Sequence, residues 1–205
     1  SLTVQQGATG GSLASNKAIV IDGVVPTVTS VTVPANATYV SGQNLDFTVN
    51  FSENVTVVTT GGTPQLAVTI GSTTRQATYQ SGSGTQALLF RYTVVSGDVD
   101  TDGITVGTLA ANGGTLKDAA TNDANLTLNN VGATTSLLVD AVAPVITSVT
   151  STKVDGSYGL GESISITVTF DEAVTVTGTP QLELETGAVD RKVDYSSGTG
   201  TNTLT

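Results

Sequence analysis

The chain contains no cysteine, no histidine, no methionine and no tryptophan. Without Cys and His it cannot build zinc sites of the usual kind. Catalysis by a Cys nucleophile or by a Ser–His pair is excluded for the same reason, and no disulfide contributes to stability. Aromatic residues make up only 4% of the sequence, so a core has to be assembled from Val, Leu, Ile and Ala, and a stacking platform for sugar rings is lacking. Cationic residues are scarce as well: 7 Lys and Arg stand against 17 Asp and Glu, for a net charge of −10. No basic patch is present to neutralise phosphates, which sets nucleic acid aside as a partner, and an anionic membrane surface with it. No apolar run approaches the ~20 residues of a membrane-spanning helix, so no membrane insertion is expected. No segment carries the i, i+3, i+4, i+7 apolar spacing of an amphipathic helix.

What is present is strand and turn chemistry. Val, Ile and Thr are abundant and 23 Gly punctuate them, a composition that favours β-structure. The sequence also says much of what it says twice. "DGVVPTVTSVT" (22–32) returns as "DAVAPVITSVT" (140–150), with Pro26 facing Pro144 at a period of 118 residues. "TYVSGQNLDFTVNFSENVTV" (38–57) faces "SYGLGESISITVTFDEAVTV" (157–176). "GTPQL" occurs at 62–66 and 178–182, and "RQATYQSGSGTQAL" (75–88) faces "RKVDYSSGTGTNTL" (191–204). "LTVQQGAT" (2–9) and "IVID" (19–22) resemble "LTLNNVGAT" (126–134) and "LLVD" (137–140). These matches divide the chain into three parts. Residues 1–24 read as the C-terminal strands of a preceding repeat, 25–142 as a complete repeat, and 143–205 as the N-terminal part of a following one. The chain begins in mid-pattern, so it is read as an internal piece of something longer.

Within 25–142, apolar and polar residues alternate in "VTSVTV" (28–33), "NLDFTVNF" (44–51), "QLAVTI" (65–70), "RQATYQ" (75–80) and "ALLFRYTV" (87–94). They do so again in "GITVGTL" (103–109), "GTLKD" (114–118), "NLTLNN" (125–130) and "SLLVD" (136–140). In the second of these, Leu45, Phe47, Val49 and Phe51 share one face. Gly, Asn, Asp and Ser clusters such as "SGSG" (81–84) separate the segments. Seven to nine short strands so spaced predict an all-β fold of tandem immunoglobulin-like antiparallel β-sandwich modules, with a jelly roll or small barrel as the alternative.

Four blocks recur in the same order: D-x-V-x-P, F-[SD]-E-x-V-T-V, G-T-P-Q-L and Y-x-S-G-x-G-T. In this the chain resembles the tandem immunoglobulin-like repeats of large bacterial cell-surface and secreted adhesins, over essentially its whole length. The resemblance implies an extracellular location at the bacterial surface and a structural role as stalk or spacer. The partners it implies are neighbouring repeats of the same long chain. It also suggests calcium between modules, as related repeats and cadherin-like modules use it.

The carboxylates supply candidate ligands, since Ca²⁺ takes six to eight oxygens. Asp22 and Asp140 stand at the seams between repeats. Glu53 and Glu172 belong to the F-[SD]-E block, expected in the loop after the second strand, which would put Glu53 near Asp22 and Glu172 near Asp140. Asp98, Asp100 and Asp102 alternate in "DVDTDG" (98–103), expected at the opposite end of the repeat, facing Asp140. Asp98, Asp100, Asp102, Asp140 and Glu172 together could supply most of a calcium shell that forms only when two modules are aligned. The string starts like a helical calcium loop but has Leu109 where that loop needs its twelfth-position Glu, so an EF-hand is rejected. Solvated acidic turns are the competing reading. "KDAATNDAN" (117–125), with Asp118, Asn122 and Asp123, reads as a hairpin turn first and a ligand loop second. Arg75 and Arg191 are expected to form surface pairs of little worth.

Other functions are weighed against these residues. A glycosidase would need two carboxylates flanking a substrate. Asp98 with Asp102, or Glu53 with Asp46, could be pressed into that role, but without a sugar platform no enzyme is expected. A module that binds a glycan or a protein at its surface, and a self-assembling surface filament subunit, are the alternatives to the stalk.

Overall fold

The computed structural model describes residues 2–3 and 19–205. The described residues form strands and turns, with antiparallel sheets and no helix. The chain divides into two compact units, Ser1–Val142 and Ala143–Thr205, and the repeat begins anew at the same position. Most of residues 1–24 lie outside the described residues. Of them, β1 (Leu2–Thr3) and β2 (Val20–Ile21) pair antiparallel.

The first unit continues with β3 (Val28–Thr32), β4 (Ala37–Tyr39), β5 (Asn44–Val58), β6 (Gln65–Ile70), β7 (Thr73–Ser81) and β8 (Thr85–Thr93). It ends with β9 (Val99–Asp100), β10 (Thr105–Ala110), β11 (Thr115–Lys117) and β12 (Leu137–Asp140). The large sheet runs β10-β6-β7-β8-β5, and the far edge of β5 is shared by β3 along its first part and β11 along its last residues. A small sheet runs β4-β12-β9, with β12 parallel to β4 and antiparallel to β9. One apolar core joins the two. Leu45, Phe47, Val49 and Phe51 of β5 are buried, as their alternation predicts, and so are Leu137 and Val139 of β12.

Two local expectations are corrected. The F-S-E block is not a loop: β5 is one strand of 15 residues that passes through it. Its register against β8 shifts between Asn50 and Val55, a bulge that bends the strand without ending it. Val57 and Val58 then pair with Leu116 and Thr115 of β11. Conversely, 125–130 forms no ladder. It runs beside β3 and the residues before it through isolated parallel bridges, Thr27 with Asn125 and Val31 with Val131, and through single hydrogen bonds such as Asn130 Nδ2 to the carbonyl of Thr29. Asn125 turns its side chain onto the N–H of Thr127, and Asn130 has φ 44°, so the segment is too kinked for regular pairing.

The second unit contains β13 (Ile146–Ser151), β14 (Ile166–Val174), β15 (Gln181–Leu184), β16 (Arg191–Asp194) and β17 (Thr201–Leu204). β13-β14-β17 form one sheet and β15-β16 another. Several of its hydrogen bonds repeat those of the first unit. The Tyr79 hydroxyl accepts from Ser83 N at 2.8 Å, and the Tyr195 hydroxyl accepts from Thr199 N at 2.7 Å. Tyr39 donates to the carbonyl of Ala35, and Tyr158 to that of Val154. Thr27 N is held by Ser52 Oγ, and Val145 N by Asp171 Oδ1. Gly82 and Gly198 share a left-handed conformation, φ 105° and 111°. A Cβ on either would lie 2.1 Å from a backbone oxygen, that of Ala87 or Thr203, so only glycine fits.

Candidate metal centre

Among the described residues, one group of three or more carboxylates converges: Asp22, Glu53 and Asp118, each offering an oxygen within 4.8 Å of the others. Three separate elements deliver them. Glu53 has the parity of Phe51 and Val55, both buried, and is therefore carried on the inward side of β5 where the bulge lets it reach the end of the core. Asp118 follows β11 with the parity of buried Leu116 and is itself 5% exposed. Asp22 follows β2 and closes a local turn, its Oδ1 accepting from Val24 N at 3.1 Å.

Asn122 ties the group together. Its backbone N–H donates to Asp118 Oδ1 and its side-chain amide to Asp118 Oδ2, both at 2.8 Å. The same amide reaches the carbonyls of Asp22 at 3.1 Å and Val24 at 3.3 Å. The segment leading into β3 is thus fastened to the loop after β11. Burial works against ionisation of Asp118, but the hydrogen bonds from Asn122 and the neighbouring backbone outweigh it and hold the carboxyl below its usual range. The oxygens here are hard ligands of the kind calcium or magnesium takes.

The sequence places Glu53 near Asp22, and the structure brings the two together. It adds Asp118, which sequence reasoning ranked as a turn residue. The available signal was the D-x-x-x-N spacing of a side-chain clasp, which does not report that β11 ends beside β5. Asp98, Asp100, Asp102 and Asp140 form no such group. The backbone does bring them near: Val99 and Asp100 pair with Asp140 and Val139, and Ala141 N donates to the carbonyl of Asp98 at 2.8 Å. But Asp98 turns inward. Its Oδ1 accepts from Arg75 Nε at 2.9 Å and Nη2 at 2.6 Å, and its Oδ2 from the Tyr92 hydroxyl at 2.6 Å and Val95 N at 3.1 Å. Asp100 is likewise occupied by the backbone, accepting from Gly71 N and Gly103 N at 2.7 Å and from Asp102 N at 3.3 Å. Asp102 is exposed. Asp140 repeats the turn of Asp22, accepting from Val142 N at 3.3 Å. Glu172 stands half-exposed within β14, as Glu53 does in β5.

The "DVDTDG" loop therefore acts as a structural hub. Burial penalises the Asp98 carboxylate, yet the Tyr92 hydroxyl, Val95 N–H and Arg75 together keep its carboxyl below the ordinary range. Burial and the bond to Asp98 push the Tyr92 phenol up to about 12. The partner of Arg75 is a buried carboxylate, with a side chain only 1% exposed, rather than the surface acid expected. No family model matches the chain, and no significant match is found among curated proteins or solved structures.

Proposed function

We propose that the chain is a structural spacer: a run of tandem immunoglobulin-like β-sandwich modules from an extracellular bacterial adhesin, with neighbouring repeats of the same chain as its partners. The observation that carries this reading is what the two units share. The polar contacts that recur in both, the tyrosine clasps and the Ser52/Asp171 tie, join the chain to itself.

Calcium enters the proposal at Asp22, Glu53 and Asp118, where a hard cation would neutralise three converging carboxylates and tighten the attachment that Asn122 makes. The reading is not enzymatic. Its test is an array of four copies of residues 25–142, examined by electron microscopy and applied to glycan and protein arrays. Evenly spaced particles of constant separation with no ligand captured support the spacer. Specific capture of a glycan by the array would replace it with the binding-module reading, and polymers of unlinked modules would replace it with a filament subunit.

A further inference from the structure

The second unit exposes what the first unit buries. Ile146, Val149 and Ile164 are 54%, 54% and 47% exposed, whereas their counterparts Val28, Val31 and Leu45 are 4%, 1% and 0% exposed. Ile166, Val168, Leu182 and Leu204 match Phe47, Val49, Leu66 and Leu88, all fully buried. Together with Ile146 and Ile164, these four line a groove of about 520 Å³. The outer edge of β13 has no strand beside it among the described residues.

What covers this face is visible in the first unit. There Val94, Ile104, Leu116, Leu137 and Val139 complete the core over β5, β6 and β8. The stretch 125–131 runs beside β3, with Val31 N donating to Asn130 O and Gly132 N to Val31 O. The geometry points to the apolar face of 143–205 as the docking surface for a strand set of the sequence type of residues 90–142. The occupant is specified by shape and pattern. It needs alternating Leu and Val on one face to fill the groove, and a kinked asparagine-rich strand to lie along β13. This inference rests on the structural repeat alone, so its failure leaves the spacer role standing.

The experiment compares three chains: the 205-residue protein, the same chain extended after Thr205 by a copy of residues 90–142, and that extension carrying Leu116→Asp, Leu137→Asp and Val139→Asp in the added copy. Hydrogen exchange is read at amides 164–170 and 182–184, with amides 44–51 of the first unit as the internal reference for folding. The unmodified extension is expected to slow exchange at the first set by at least ~100-fold, and the Asp-bearing extension to leave it fast. Equal rates in all three chains, with the reference set protected, overturn the inference. So does concentration-dependent protection of the unextended chain with dimers in sedimentation, which would make a second copy the occupant.

Discussion

Asp98 is the residue on which sequence and structure differ most. In the sequence it is one of three alternating acids, the pattern of an oxygen-rich loop. In the fold it is the acceptor for four donors drawn from β7, β8 and the turn that follows. Nothing in "DVDTDG" reports this, because Arg75 and Tyr92 reach it only through sheet pairing. Asp98→Ala is expected to cost ~2–4 kcal/mol through several lost charge-assisted bonds. Arg75→Met should cost less, since Arg75 is a third exposed and Tyr92 and Val95 still satisfy the carboxylate. Urea unfolding of both variants checks the order. The pH dependence has two limbs. Asp98 has a lowered pKa in the fold, so its contribution is present above ~4 and is lost as pH falls through the carboxylate range. Tyr92 has a raised one, so its contribution is intact below ~10 and is lost as pH rises towards about 12. Tyr92→Phe should flatten the alkaline limb of a Tm-against-pH profile. An unchanged alkaline limb would mean that another group governs it.

Among the elements, β5 was legible in its first half and misread in its second. Period-two alternation identified Leu45, Phe47, Val49 and Phe51 because burial acts on each of those side chains separately. The continuation through Ser52–Asn54 was not legible. A bulge and an acidic turn draw on the same residues, and only the partner β11 decides between them. The short strands β4 and β9 escaped for a similar reason, since two or three residues carry no period. The paired units offer an internal comparison of the same element. Phe47→Ala should destabilise the first unit by ~3–5 kcal/mol, whereas Ile166→Ala at the matching, half-buried position should cost under ~1 kcal/mol. Denaturant unfolding followed by circular dichroism gives both values, and equal costs would show that the two faces are equally covered.

At the scale of the whole molecule, stability should be uneven. None of residues 143–205 is buried, while the first unit holds a continuous core, so heating should show the second unit losing structure first. The proposed ion makes a separate prediction. Free Ca²⁺ at 100 times its Kd should add ~2.7 kcal/mol to the first unit, seen as a rise in Tm that a chelator reverses. Glu53→Gln should abolish that rise and, in chelator, raise the baseline Tm by relieving repulsion among the three carboxylates. A Tm indifferent to calcium in the unsubstituted chain would remove the ion from the proposal.

The parallel pairings in the first unit carry one more consequence. β12 runs alongside β4 in the same direction, and 125–131 runs alongside β3 in the same direction. Tension applied to the two chain ends of that unit would pull these neighbours past each other. Their cross-links would be loaded together in shear rather than opened one at a time like a zipper. Such an arrangement resists tension between those two ends more than a force that peels one neighbour away from the other.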